Sequence, residues 1–136
     1  MLGWRASLEL TCYSSMYSAQ LLDHFEHPRN AGDLTDATAC VQVENPACGD
    51  ILELAVTVEG NYISQIRFRA KGCVPAMACG SLITEMVVGR DILEAGRIRS
   101  NSIIEAIGGL PPASGHAAEL AVDALRAALR KIASNE

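Results

Sequence analysis

Three short segments carry side chains able to bind a metal or handle sulfur. The first, Asn45-Pro46-Ala47-Cys48-Gly49-Asp50, is a tight turn in which proline sets one backbone dihedral and glycine permits another, so that the Cys48 thiol and the Asp50 carboxylate are exposed. A hairpin with a buried thiol is the alternative, because free cysteine is among the most buried residue types. In the second, Lys71-Gly72-Cys73, an extended run hands over to a helical one. Cys73 therefore sits near a helix N-terminus, whose partial positive charge favours the thiolate that metal binding and sulfur chemistry both need. The third, Leu110-Pro111-Pro112-Ala113-Ser114-Gly115-His116, brings an imidazole to the first turn of the last helix. A lone histidine there is usually a surface or cap residue, and a ligand role depends on the fold bringing it to Cys48 and Cys73.

The other thiols have fewer prospects. Cys79 lies six residues beyond Cys73 on the same expected helix, far round the axis and more than one turn away, so it reads as core packing, with a replacement ligand as the alternative. Cys12 and Cys40 have no evident partners and read as bystanders. Five cysteines, an odd number at scattered positions, do not form the dense framework of a secreted disulfide scaffold, and reduced thiols in a cytoplasmic setting are expected.

The elements that must position these groups are legible in the hydrophobic period. Leu21, Leu22 and Phe25 fall at helical spacing before His27-Pro28-Arg29-Asn30-Ala31-Gly32 stops the pattern. From Val41 the period becomes two: Val41 and Val43 alternate with polar neighbours, then Leu52, Leu54, Val56 and Val58 do so. After the turn Glu59-Gly60-Asn61, Ile66, Phe68 and Ala70 face one way while Gln65, Arg67, Arg69 and Lys71 face the other. A three-stranded antiparallel sheet with one solvated face follows. Beyond Gly72 the stripe Met77, Leu82, Met86 and Val87 predicts a helix ending near Gly89. Short helices are expected over Asp91–Gly96 and Ser100–Ile107, the latter with Ser100 as N-cap and Gly108-Gly109 as the stop. A long last helix carries Leu120, Ala121, Ala124, Leu125, Ala128, Leu129 and Ile132 on one face, with acidic residues toward its start and basic residues toward its end. Strands first and helices later predict an α+β domain with helices packed on one sheet face and a long C-terminal helix.

At 136 residues the chain suits one domain. Met1–Ser15 reads as an extension ahead of a natural start at Met16, leaving residues 16–136 as the domain. With 49% hydrophobic but only 4% aromatic residues, the core must come mainly from Ala, Val, Leu and Ile. A net charge of -5 argues against a nucleic-acid partner, which needs a basic face to neutralise phosphates. Charged residues interrupt every apolar stretch, so no membrane span is expected.

Taken together, Tyr17-Ser18, His27-Pro28-Arg29-Asn30-Ala31-Gly32, Asn45-Pro46-Ala47-Cys48-Gly49-Asp50, Lys71-Gly72-Cys73 with Ser81-Leu82-Ile83-Thr84-Glu85, and Leu110-Pro111-Pro112 before His116 form an ordered pattern. It resembles the iron-sulfur cluster assembly scaffold family, IscU and the N-terminal domain of NifU, across nearly all of Tyr17–Ala133. The resemblance implies a non-enzymatic scaffold that holds iron or a [2Fe-2S] cluster transiently, or zinc in purified protein. It implies a cysteine desulfurase and iron-sulfur acceptor or carrier proteins as partners. Carried over, Cys48 and Cys73 match the family's first two cysteines, Asp50 its aspartate and His116 its histidine. Two thiolates, a carboxylate and an imidazole suffice for tetrahedral zinc and serve a labile cluster, because oxygen holds a soft iron-sulfur unit less firmly than sulfur does.

Two departures stand out. The family's third cysteine, regarded as the acceptor of sulfur, is Ala117 here, and alanine neither carries a persulfide nor ligates iron. Where the family's chaperone-recognition motif continues with Val-Lys, this chain has Ala113-Ser114, which weakens the expectation of an Hsp70-type partner. Ala117 also motivates the alternative of a degenerate homologue that holds structural zinc and acts as an interaction module. A zinc-dependent sulfur acceptor ranks last, since the compact spacing from Cys73 to His116 lacks the long insertion of that branch.

Overall fold

The structure, a computed structural model, describes residues 17–46 and 49–134. The expected extension over residues 1–15, with Cys12, and the candidate ligand Cys48 lie outside the described residues. Helix α1 spans Ala19–Glu26 and is followed by strands β1 (Ala39–Glu44), β2 (Ile51–Glu59) and β3 (Tyr62–Lys71). Helices α2 (Val74–Val87), α3 (Ile92–Ala95), α4 (Ser100–Ala106) and α5 (Gly115–Ser134) complete the chain, α5 being entered through a 3-10 turn at Pro112–Ser114. The sheet is antiparallel in the order β1-β2-β3, as the period-two runs require. The α+β architecture with helices on one face and a long C-terminal helix is therefore the one observed.

Alternation puts Leu52, Leu54, Val56, Ile66 and Phe68 on the inner face, where they meet α2 and α5. The outer face carries Gln42, Glu53, Arg69 and Lys71. The free edge of β3 is covered at Phe68, whose amide donates to the Asn30 carbonyl at 2.9 Å while its own carbonyl accepts from Gly32 at 3.0 Å. Such cover removes part of an edge that would otherwise template pairing with another chain.

Two local expectations are corrected. Ser100 is the first residue of α4, and Arg99 occupies the N-cap place with extended backbone. The expected apolar stripe of α2 is also too narrow: Met77 and Met86 are only half-buried, whereas Ala76, Ala78, Cys79, Gly80, Ser81, Ile83 and Thr84 are buried. This helix packs against α1, β3 and α5 at once, so its amphipathic period is weak.

A polar network fastens α1 to α2. The Ser81 hydroxyl lies 2.8 Å from His24 Nδ1 and accepts from the Arg29 amide at 2.8 Å. The Asn30 amide donates to Thr84 at 3.1 Å, and the Thr84 hydroxyl lies 3.2 Å from the Arg29 carbonyl. The Arg29 guanidinium bridges Asp23 and Glu85. Ser18 caps α1 by accepting from the Leu21 amide at 3.0 Å, and its hydroxyl donates to the Ile107 carbonyl. The His-Pro-Arg-Asn segment is thus a connector of elements.

Candidate metal and cluster site

The site is built at the end of the sheet where β1 runs into β2 and β3 runs into α2. Strand register sets Ile51 opposite Lys71, and just beyond the end of the ladder the Asp50 side chain lies against Gly72. Asp50 shares the inner face with Leu52, and it is buried, 5% exposed. This corrects the expectation that the turn exposes its carboxylate. The reason is local: the side chain leans across Gly72, where Oδ1 lies 3.3 Å from the Cys73 amide and Oδ2 accepts from the Cys73 thiol at 3.1 Å. The backbone holds the turn closed, with the Asn45 amide donating to the Asp50 carbonyl at 2.8 Å and the Gly49 amide to the Asn45 carbonyl at 2.7 Å.

Cys73 is the N-cap residue of α2, in extended conformation with Pro75 in the first turn, and its thiol is exposed. Its place at the start of a 14-residue helix matches the sequence-based expectation. A thiol and a carboxylate from different loops are thus in direct contact, one soft and one hard donor side by side.

His116 is the second residue of α5 and is half-buried. It lines a cavity of about 180 Å³ together with Glu44, Asn45, Pro46, Glu119 and Asp123. The turn that ends in Asp50 therefore borders the histidine at its beginning and the Cys73 thiol at its end. Among the described residues, no three His, Cys, Asp or Glu side chains lie close enough to share one metal ion. Asp50 and Cys73 are brought together, while His116 stands across the Asn45-Pro46 corner from them.

The remaining thiols are accounted for. Cys79 is fully buried, and burial, with a smaller contribution from Cys73, pushes its thiol up to about 12. It is core packing, and a replacement ligand role has no support. Cys40 is exposed on β1 but pairs in register with Ala55, toward the far end of the strand from Glu44. Ala117 is 1% exposed and belongs to the core that α5 forms against the sheet.

What sequence reasoning missed is the part played by Gly72. Only the register, which places it opposite Asp50, reveals it.

The chain matches the family described as NifU-like N terminal domain over residues 16–136. It is 44% identical over 114 residues to iron-sulfur cluster assembly scaffold protein IscU 1 of Archaeoglobus fulgidus, covering 84% of this chain and 74% of that protein. It is 42% identical over 117 residues to iron-sulfur cluster assembly scaffold protein IscU of Haemophilus influenzae, covering 83% of this chain and 92% of the relative. The fold is also that of a crystallised nitrogen-fixing NifU-like protein (N-terminal) from Brucella abortus, with a TM-score of 0.73 at 18% identity over 89% of this chain and 96% of the other. With the family matched from Met16 to Glu136, and relatives above 40% identity over most of their length, the chain belongs to the NifU-like N terminal domain family.

Proposed function

We propose that this protein is an iron-sulfur cluster assembly scaffold: it holds iron or a [2Fe-2S] cluster transiently and passes it to acceptor proteins. The observation that carries the reading is the contact between Asp50 and Cys73, two loops meeting thiol to carboxylate at 3.1 Å. The turn containing Cys48 is flanked on one side by that contact and on the other by the His116 cavity. Cys48, Asp50, Cys73 and His116 are the ligands we assign, and His116 must close across the Asn45-Pro46 corner to join Asp50 and Cys73 on one metal. The donor set fits the cargo, since thiolates suit iron-sulfur units and zinc, while a carboxylate keeps the hold reversible.

The role is one of holding and handing over, in keeping with the names of the relatives. Sulfur would come from a cysteine desulfurase, and acceptor or carrier proteins would take the finished unit. Ala117 offers no thiol, so any persulfide relay falls to the cysteines of the ligand loops.

Anaerobic reconstitution with iron, sulfide and a desulfurase tests the proposal. Visible-range cluster absorption should develop in the wild type, be lost in Cys48→Ala and in Cys73→Ala, and decay as an apo-ferredoxin is added. A protein that stays colourless, or keeps its spectrum in both variants, would contradict it.

A further inference from the structure

Gly72 sits between Lys71, the last residue of β3, and Cys73, the cap of α2. Its φ is +153°, a backbone conformation that side-chain-bearing residues rarely adopt. A Cβ built there would lie 2.2 Å from Asp50 Oδ1, 2.6 Å from Asp50 Cγ and 3.0 Å from Asp50 Cβ. All three nearest atoms belong to the carboxylate side chain.

Directly opposed residues of antiparallel strands normally pack side chain against side chain, with Cβ atoms about 5 Å apart. Here one member of the pair has none, and the other fills the space. That vacancy lets Asp50 cross the strand gap and reach both the amide and the thiol of Cys73. From the far side, the Asn45 amide fixes the Asp50 backbone. The carboxylate is held by a backbone anchor behind and an open notch in front.

We infer that Gly72 is a positioning residue of the site: its missing side chain forms the notch that places the Asp50 carboxylate beside the Cys73 thiol. The inference rests on the ligand set assigned above and adds to it the residue that sets its geometry. A side chain at 72 would turn Asp50 outward and leave Cys73 without its carboxylate partner. Residues that orient metal ligands typically change affinity by about 10- to 100-fold when altered.

The test is a zinc-affinity cycle on the full chain, by chelator competition, with Gly72→Ala, Asp50→Gly and the double variant. Asp50→Gly removes the three atoms that lie nearest to a new Cβ. Gly32→Ala is the matched control, since its φ is +128° and nothing lies within 4 Å of a Cβ there. Gly72→Ala should weaken zinc about 10-fold or more, to the level of Asp50→Gly, and the double variant should be no weaker than the weaker single. Gly32→Ala should lower the melting temperature and leave zinc affinity within about 2-fold of wild type.

Should Gly72→Ala fail to fold while Gly32→Ala, which carries the backbone strain alone, folds, refolding of the double variant supports the inference, and its failure to refold overturns it. Unchanged affinity in Gly72→Ala overturns it, as do losses that multiply in the double variant. Unchanged affinity in Asp50→Gly overturns it together with the assignment of Asp50. Cluster uptake by the wild type is a separate measurement, so failure of the scaffold reading is distinguishable from failure of this one.

Discussion

At the scale of the residue, the chemistry depends on which thiols reach solvent. Cys73 is exposed at a helix start, Cys79 is sealed in the core, and Ala117 occupies a core-facing place at the start of α5. A thiol introduced at 117 would inherit that burial. In the metal-free protein, Ala117→Cys should add no fast-reacting group in a titration with a bulky aromatic disulfide, while Cys73→Ala should remove one. An extra fast thiol in Ala117→Cys would show that the start of α5 opens toward the site. That Asp50 and Cys73 stand at element boundaries was legible in the sequence, because proline and glycine mark where strands and helices end. The burial of Asp50 was not, because it depends on register across a sheet. A turn rich in Pro, Gly and Asp looks solvent-facing until its partner strand is known.

At the scale of the element, α1 is held to α2 by a few polar contacts around one buried imidazole. Burial, and then the nearby Arg29 guanidinium, lower the His24 pKa from its ordinary value of 6.5, while Glu85 and Asp23 oppose the shift. His24 therefore stays neutral in the folded protein to lower pH than in the unfolded chain. The unfolded state binds the extra proton first, so stability is fully present above about pH 6.5 and is lost as pH falls toward the folded-state pKa. Thermal melts from pH 8 to pH 5 should show a falling melting temperature below that point. In His24→Asn, whose side-chain amide stands where Nδ1 bonds Ser81 and carries no titrating proton, the fall should be shallower. Superimposable pH profiles for the two proteins would refute the role given to His24. Helix α1, the strands and α5 were legible because each has one buried face. The stripe of α2 was misread because a helix enclosed by α1, β3 and α5 has little polar face to set a period. The network joining His24, Arg29, Asn30, Ser81 and Thr84 spans more than fifty residues, and local pattern does not register contacts of that range.

At the scale of the whole molecule, a three-stranded sheet backed by helices on one face gathers the ends of its strands into one rim. The turn between β1 and β2, the junction of β3 with α2 and the start of α5 all lie there, while the hairpin at Glu59–Tyr62 lies at the other end. No helix among the described residues is long and apolar enough to cross a membrane. A rigid frame that presents Asp50 and Cys73 at the ends of its elements suits an assembly scaffold, which must hold a unit and release it.

The central claim is that those three segments grip one metal centre, and X-ray absorption at the zinc edge of the singly loaded protein addresses it most directly. The account predicts one zinc per chain with two sulfur ligands and two nitrogen or oxygen ligands, one sulfur being lost in Cys73→Ala. A first shell without sulfur, or one unchanged by Cys73→Ala, would contradict it.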